Sequence, residues 1–239
     1  MKLVDFHDMG RAAYRETWQL QADIQKRIID EKIAGRDQGL DLSRSNDVLL
    51  LVEHPHVYTL GKSGDKNHLL KTEGELQGLQ AEFVQIDRGG DITYHGPGQI
   101  VAYPILDLSR HFTDIHKYLR YLEEVVILTC AEYAISARRI KGLTGVWVGE
   151  AKIAAFGIRC SRWVTMHGLA LNVQPNLDYF NYIIPCGIED KKVTSLAELL
   201  KKELEIEEVK NKLKQNFEKV FNVTLRAGQK LPKRPVAVN

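Results

Sequence analysis

The chain has 239 residues, 44% of them hydrophobic, and its 33 basic and 31 acidic side chains nearly cancel to a net charge of +2. This composition is sufficient for a hydrophobic core and lacks the strong basic excess of many nucleic-acid-binding domains. The longest aliphatic runs, 48–52 and 125–128, are far shorter than the roughly 20 residues of a membrane-spanning helix. The N-terminus shows no apolar signal segment, and the three cysteines are widely spaced, so we expect a cytoplasmic protein with free thiols.

The first half of the chain predicts one helix followed by strands. Apolar residues at helical spacing mark the helix: Tyr14, Trp18, Ala22, Ile29 and Ile33. A polar loop is predicted from Gly35 to Asn46. Seven runs rich in β-branched residues predict strands over the whole chain: Val48–Val52, Val57–Leu60, Phe83–Ile86, Ile100–Ile105, Val146–Val148, Lys152–Cys160 and Trp163–Val173.

The second half predicts a hairpin-rich sheet between helices. Short connections at Gly149–Glu150 and Ser161–Arg162 indicate that the last three strands are antiparallel. The helix before them carries its apolar face on Leu119, Leu122, Val126, Cys130 and Tyr133, which makes Cys130 a core residue. Ser195 and Glu198 have capping-box spacing, and a last helix carries Val209, Leu213, Phe217 and Val220. We expect one α/β (α+β) domain over residues 1–239, with the segment after Leu225 as a terminal arm.

The segment from Arg88 to Gln99 is the clearest candidate for a site. It holds four glycines and several hydrogen-bonding side chains between two predicted strands, and it is longer than a hairpin turn needs. Glycine lets a backbone approach a ligand closely, while Arg88, Thr93, Tyr94 and His95 provide polar groups. The alternative is a glycine-rich turn without a function.

Cys186 is the candidate nucleophile. It lies between Pro185 and Gly187, which favours presentation from a defined turn, although most free cysteines are simply small buried side chains. A reactive thiolate needs a cationic or basic partner, and the candidates are Lys152, His95 and His167. Spacing alone does not choose among the three, and Lys152 also suits a solvated strand edge.

Two other chemistries fail on their motifs. Gly61-Lys62-Ser63 resembles the end of a phosphate-binding loop, but that motif requires glycine where His56 stands. The pair His54 and His56 has no neighbouring cysteine or carboxylate cluster, so we expect no zinc site.

Six blocks, in order from about Asp47 to Leu200, resemble the lipoyl(octanoyl) transferases, the octanoyl-[acyl-carrier-protein]:protein N-octanoyltransferases of lipoate synthesis. The blocks are Glu53-His-Pro-His-Val-Tyr-Thr-Leu-Gly-Lys, Arg88-Gly-Gly-Asp-Ile-Thr-Tyr-His-Gly-Pro-Gly-Gln-Ile-Val-Ala-Tyr-Pro, Gly145-Val-Trp-Val, Lys152-Ile-Ala-Ala-Phe-Gly-Ile-Arg, Trp163-Val-Thr-Met-His-Gly-Leu-Ala-Leu-Asn-Val and Ile184-Pro-Cys-Gly-Ile. Six ordered blocks are far more specific than one glycine-rich loop.

The resemblance implies a biotin/lipoate protein ligase-like catalytic domain, with a mixed, largely antiparallel sheet and flanking helices. It implies that Cys186 takes an octanoyl group from acyl carrier protein as a thioester, and that Lys152 lowers the pKa of that cysteine and helps to deprotonate the incoming amine. It also implies the residues that bind substrate: Arg88, Gly89, Gly90, Asp91, Ile92, Thr93, Tyr94, His95, Ala155, Phe156, Gly157, Gly168, Leu169 and Ala170. No cofactor is expected, because the acyl group arrives on the phosphopantetheine of the carrier.

The implied partners are octanoyl-acyl carrier protein and the lipoyl domains of 2-oxoacid dehydrogenase complexes and of the glycine cleavage H protein, with no nucleic acid and no membrane. An acidic carrier suggests a basic docking patch of Arg138, Arg139, Lys141, Arg159 and Arg162. Two other functions stay open. One is an ATP-dependent lipoate or biotin protein ligase of the same fold, and the other is a non-catalytic acyl-binding module.

Overall fold

The computed structural model describes residues 2–37, 47–184, 192–228 and 231. The strands are β1 (Lys2–Arg11), β2 (Asp47–Glu53), β3 (Val57–Leu60), β4 (Glu82–Gln85), β5 (Ile92–His95), β6 (Gln99–Ile105), β7 (Val146–Val148), β8 (Ala151–Ser161), β9 (Val164–Asn172) and β10 (Val223–Ala227). The helices are α1 (Tyr14–Asp37), α2 (Glu73–Gly78), α3 (Ile115–Ala131), α4 (Leu196–Leu200) and α5 (Ile206–Phe221). Among the described residues, no helix has the length and apolarity that crossing a bilayer requires.

The strands form two sheets. The large sheet has the order β10-β1-β2-β6-β9-β8-β7 and is parallel only where β1 meets β10 and β2. The small sheet has the order β4-β3-β5, with β3 parallel to β4 and antiparallel to β5. The predicted mixed, largely antiparallel sheet with flanking helices is confirmed, as are the consecutive hairpins of β7, β8 and β9.

Helices cover both faces of the large sheet. Leu49 and Leu51 of β2 pack in the cluster that contains α3 and α5, and Leu50, between them, packs in the cluster that contains α1. Alternate residues of a strand point to opposite faces, so a strand buried on both sides reads as a continuous aliphatic run. This explains the sequence of β2, which lies with its neighbour β6 and the next strand β9 in the middle of the large sheet.

The predicted face of α1 is partly wrong. Leu20, Ile24 and Ile28 are buried, whereas Ile33 is 39% exposed, and Ala22 and Ile29 are only half-buried. The buried stripe also contains the polar residues Gln21, Gln25 and Lys32. Lys32 is stabilised by Asp107, whose carboxylate accepts a hydrogen bond from the ammonium at 2.6 Å. Because polar residues occupy part of the buried stripe, the spacing of apolar residues alone predicts the wrong buried face for α1.

Three strands were not predicted. β1 mixes polar and apolar residues, and β5 lies inside the segment predicted as a glycine-rich loop. β10 begins at Val223 and runs to Ala227, into the segment assigned to the terminal arm, because it pairs with β1. Of the predicted loop at 35–46, residues 35–37 belong to α1 and 38–46 lie outside the described residues; most of the arm, 229–230 and 232–239, also lies outside them.

Local details of the second half follow the prediction closely. Cys130 is fully buried on α3, and α5 buries Val209, Leu213 and Phe217. Ser195 caps α4 by accepting a hydrogen bond from the backbone N–H of Glu198. The carboxylate of Glu198 accepts a hydrogen bond from the Thr194 hydroxyl. The Ser195 half of the capping box is therefore present, and the Glu198 side chain bonds to the residue before the cap.

Candidate functional site

A cavity of about 540 Å³ opens between the segment 88–95 and the central strands of the large sheet. Every predicted substrate-binding residue lines it, as does Lys152: Arg88, Gly89, Gly90, Asp91, Ile92, Thr93, Tyr94, His95, Ala155, Phe156, Gly157, Gly168, Leu169 and Ala170. The structure therefore brings these residues together from three separate parts of the sequence. That they contact substrate stays a prediction. Cys186 lies outside the described residues, within 185–191.

Small residues line one part of the cavity on β8 and β9. Ala155 lies opposite Ala170, and Gly157 lies opposite Gly168, two residues further along the pair of strands. Residues two apart in a strand share a face, so these four leave one side of the sheet without bulky side chains. A Cβ at Gly168 would lie 2.1 Å from the carbonyl oxygen of Ala102 in β6. Glycine is therefore required here for β9 to lie this close to β6.

Arg88 fixes the glycine-rich segment against the sheet. Its buried guanidinium donates to the carbonyl oxygen of Thr59 at 2.7 Å and to the Thr59 hydroxyl at 3.1 Å. It also donates to the carbonyl oxygen of Gly89 at 3.0 Å, and the N–H of Gly89 donates to Ile158 on β8 at 3.0 Å. Several donors in one rigid plane make arginine suited to holding backbone carbonyls. Arg88 thus holds the glycine-rich wall of the cavity in position.

Lys152 stands near the start of β8 and lines the cavity. Its ammonium lies 4.8 Å from the centroid of the Trp147 ring, a cation–π contact. Its backbone pairs with the segment 192–194: the N–H of Lys152 donates to Lys192 at 2.8 Å, and the N–H of Thr194 donates to Lys152 at 3.0 Å. Lys152 therefore lines the cavity and is paired between Trp147 and Val193 rather than standing at a strand edge, and a catalytic role for it stays a prediction.

The described residues on both sides of 185–191 are held by backbone hydrogen bonds. On the near side, the N–H of Ile184 donates to the carbonyl oxygen of His68 at 2.9 Å. On the far side, Lys192 and Val193 line the cavity and pair with Lys152. Ile184 is thus held beside His68, and Lys192 and Val193 are held beside the candidate lysine.

His95 and His54 lie buried beside the cavity, together with two tyrosines. His54 donates from Nδ1 to the carbonyl oxygen of Ala12 at 2.7 Å and accepts at Nε2 from the Tyr103 hydroxyl at 2.8 Å. Burial lowers the pKa of His54 to about 4. The ring of Tyr14 stacks on that of His95, with 5.9 Å between centroids. Burial and the nearby His54 lower the pKa of His95 well below its ordinary value.

His167 is a buried residue of β9 with a positive φ of 62°. Its Nε2 lies 3.1 Å from a carboxylate oxygen of Asp87, which also pairs with Arg159. Burial lowers the pKa of His167, and the Asp87 hydrogen bond opposes that shift. Its Nδ1 is enclosed and has no hydrogen-bond partner among the described residues.

Sequence reasoning missed several residues that line the cavity: Tyr14, Gln99, Tyr103, Trp147 and Asn172. All but Tyr14 stand inside the blocks that carry the family resemblance, so the blocks themselves were the available signal. Tyr14 comes from the start of α1, and only the packing of that helix brings it to the cavity.

The predicted basic patch is largely neutralised by ion pairs. Arg138 contacts Glu150 at 3.1 Å, and Arg139 contacts the buried carboxylate of Glu123 at 2.9 Å. Arg159 pairs with Asp87, as described above. Across the described ranges, no group of three or more His, Cys, Asp or Glu side chains is arranged to hold a metal ion.

Solved structures share this fold. The chain matches a bipartite lipoate protein ligase from Thermoplasma acidophilum with a TM-score of 0.62 at 16% identity, covering 94% of this chain and 84% of that one. It matches LipL1 of P. falciparum, solved in complex with lipoate, with a TM-score of 0.67 at 12% identity, covering 94% of this chain and 66% of that one. At these identities the likeness establishes the fold alone.

The sequence comparisons are more specific. The family model of the lipoyl protein ligase A/B catalytic domain matches residues 14–218. A protein of Christiangramia forsetii named octanoyltransferase is 54% identical over 231 residues, which cover 94% of this chain and 98% of that protein. One of Bacteroides thetaiotaomicron with the same name is 44% identical over 220 residues, covering 90% and 94%. The chain therefore belongs to the lipoyl protein ligase A/B catalytic family, among the octanoyltransferases.

Proposed function

We propose that this protein is an acyltransferase of protein lipoylation, which moves an octanoyl group from octanoyl-acyl carrier protein to a lysine of a lipoyl domain. The observation that carries the proposal is the cavity that gathers Lys152 and the three predicted substrate-binding segments in one place. The octanoyltransferase names of relatives that align over nearly the whole chain support the same conclusion.

The cavity wall suits a medium-length acyl chain. Ala155, Gly157 and Ala170 leave room beside β8 and β9, and Leu169 and Phe156 add apolar surface. Burying the hydrocarbon part of an octanoyl group contributes on the order of 5 kcal/mol, at about 0.8 kcal/mol for each buried methylene. This contribution falls with each methylene removed, so chain length is discriminated in modest steps.

In the proposed first step, the Cys186 thiolate attacks the thioester carbonyl of the carrier. The new carbon–sulfur bond forms as the bond to the phosphopantetheine sulfur breaks, and the departing thiolate takes a proton from Lys152. One thioester replaces another, so the step needs no nucleotide and no cofactor. A Lys152 ammonium beside the sulfur would stabilise the thiolate by Coulomb attraction.

In the second step, the amine of the acceptor lysine attacks the octanoyl thioester on Cys186. A carbon–nitrogen bond forms, the carbon–sulfur bond to Cys186 breaks, and the neutral Lys152 left by the first step accepts the amine proton. The enzyme returns to its starting protonation state. Backbone N–H groups of the glycine-rich segments are candidates for stabilising the oxyanion in both steps.

The proposed partners are octanoyl-acyl carrier protein as donor, and lipoyl domains of 2-oxoacid dehydrogenase complexes and the glycine cleavage H protein as acceptors. The reaction is proposed to take place in the cytoplasm. Neither nucleic acid nor membrane has a part in it.

One experiment tests the proposal against the alternative functions. The protein is incubated with octanoyl-acyl carrier protein without ATP, and its intact mass is measured before and after hydroxylamine treatment. We expect one octanoyl adduct that hydroxylamine removes and that a lipoyl domain accepts. A strict need for ATP would indicate a ligase, and the absence of an adduct would indicate a binding module.

Two cysteine variants locate the adduct. Cys186→Ser should abolish hydroxylamine-sensitive labelling. Cys160→Ser is the matched control, because Cys160 is a half-buried residue of β8 and burial raises the pKa of its thiol. Labelling that survives Cys186→Ser and disappears in Cys160→Ser would overturn the assignment of the nucleophile.

A further inference from the structure

Four buried polar groups form a continuous hydrogen-bonded chain across the cavity wall. The side-chain nitrogen of Asn172 donates to the carbonyl oxygen of Thr194 at 3.0 Å. The side-chain nitrogen of Gln99 donates to the side-chain oxygen of Asn172 at 3.0 Å, and the side-chain oxygen of Gln99 lies 3.2 Å from Nδ1 of His95. The exposed fractions are 4% for Thr194, 4% for Asn172, 1% for Gln99 and 7% for His95.

The direction of this chain is fixed at its far end. The carbonyl oxygen of Thr194 can only accept, so the Asn172 amide presents its nitrogen to Thr194 and its oxygen to Gln99. The Gln99 nitrogen then faces two acceptors, Asn172 and the carbonyl oxygen of Tyr94 at 3.2 Å, which leaves the Gln99 oxygen toward the histidine. Nδ1 of His95 must therefore carry a proton, and in the neutral imidazole Nε2 then carries the lone pair.

The surroundings of His95 keep its imidazole neutral. Burial and the nearby groups His54, Arg88 and His167 all lower its pKa, and the bond to Gln99 raises it by less. Tyr14 faces the same ring and is protonated, since burial raises the pKa of its hydroxyl above the ordinary value. Within the described part of the chain, no hydrogen bond reaches Nε2. His167 differs, because Asp87 engages its Nε2 and its Nδ1 is enclosed.

We propose that Nε2 of His95 accepts a hydrogen bond from the attacking primary amine of the acceptor lysine, and that Gln99 and Asn172 act as positioning residues that fix the tautomer. This rests on the proposed function and assigns a role to one predicted substrate-binding residue. The attacking amine carries two N–H groups: the neutral Lys152 of the second step takes one of them as a proton, and Arg88 is a donor only, so the other N–H group needs a separate acceptor. His95 supplies an acceptor on the wall of the same cavity.

The two half-reactions separate this role from a general structural one. Formation of the octanoyl-enzyme is followed by intact mass, and its transfer to a lipoyl domain is followed in a second mixing step. His95→Asn keeps a polar group near Nδ1 and removes Nε2, so we expect the transfer step to slow by about tenfold more than octanoylation does, the effect of one lost hydrogen bond. His95→Gln extends an oxygen toward the position of Nε2 and should recover part of that loss.

A tautomer test uses Gln99→Glu. A carboxylate beside Nδ1 favours the imidazolium, whose Nε2 is a donor, so the transfer step should be slow at neutral pH and recover as the pH rises. The matched control is Gln25→Glu, because Gln25 is another buried glutamine whose amide donates to a carbonyl oxygen, that of Val164 at 2.9 Å, away from the cavity. It should lower stability and leave the pH profile of transfer as in the wild type.

The outcomes distinguish the two proposals. No octanoyl adduct on the wild-type enzyme overturns the proposed function and this inference together. A normal adduct with equal slowing of both half-reactions in His95→Asn, or with a Gln99→Glu pH profile that matches Gln25→Glu, overturns the inference and leaves the proposed function intact.

Discussion

Gly157 is the position where a single methyl group should disturb the site most informatively. A Cβ added there would lie 2.6 Å from Cδ of Arg88 and 3.2 Å from the carbonyl oxygen of Gly89. Carbon atoms in contact are normally about 3.5–4.0 Å apart, so Gly157→Ala requires the Arg88 side chain to move by about 1 Å. That movement opposes the hydrogen bonds that hold its guanidinium to Thr59 at 2.7 and 3.1 Å.

Two costs add in the Gly157→Ala protein. Overpacking against the buried Arg88 side chain typically costs about 1–3 kcal/mol, and weakening one hydrogen bond to a charged group costs about 1.5–3 kcal/mol. Because part of the strain is relieved when the bond weakens, we expect a loss of about 3 kcal/mol in the free energy of unfolding. The segment 88–90 should shift with Arg88 and raise the KM for octanoyl-acyl carrier protein.

Urea unfolding and steady-state transfer kinetics measure both effects. The control is Gly74→Ala in α2, where an added Cβ meets no atom within 4 Å. It should be neutral or stabilise the protein by up to about 1 kcal/mol, since alanine favours helix more than glycine does. A Gly157→Ala protein as stable as the wild type, with the same KM, would refute the role given to this close approach.

Three further outcomes are expected. Lys152→Met should reduce octanoyl transfer by about 100-fold or more, measured with saturating carrier, because neither half-reaction retains its cation or proton acceptor; unchanged turnover would contradict the mechanism. Burial holds the pKa of His54 at about 4 in the folded protein, against about 6.5 in the unfolded chain, so titration of His54 does not affect the free energy of unfolding above pH 6.5 and lowers it by up to about 3 kcal/mol as the pH falls to 4. The free energy of unfolding of His54→Gln, measured against pH, should therefore fall less steeply in acid than that of the wild type. Arg138→Glu breaks the exposed pair with Glu150 and an exposed hydrogen bond to the carbonyl oxygen of Gly149, and it should raise the KM for octanoyl-acyl carrier protein at low salt while sparing a small soluble thioester; equal effects on both substrates would exclude docking at this surface.

The sequence predicted most of the elements that surround the site. Hydrophobic periodicity and turn residues gave β2, β3, β6, the β7–β9 hairpins and the helices α3 and α5, because each of these is buried on a regular face. The phase of α1 was wrong because Gln21, Gln25 and Lys32 share its buried stripe. β1 and β10 were not predicted because they pair with each other across almost the whole length of the chain.

The sequence by itself determined much of the cavity lining, since the motif blocks already contained Arg88–His95, Lys152, Ala155–Gly157 and Gly168–Ala170, but not Tyr14, which the packing of α1 brings to the cavity. It left open which histidine offers an acceptor. Only the tertiary structure decided that, because the tautomer of His95 depends on a carbonyl oxygen of Thr194 that reaches it through Asn172 and Gln99. Hydrogen-bond direction is a property of groups meeting in space, and residues 95, 99, 172 and 194 meet only when β5, β6, β9 and the segment after residue 191 pack together.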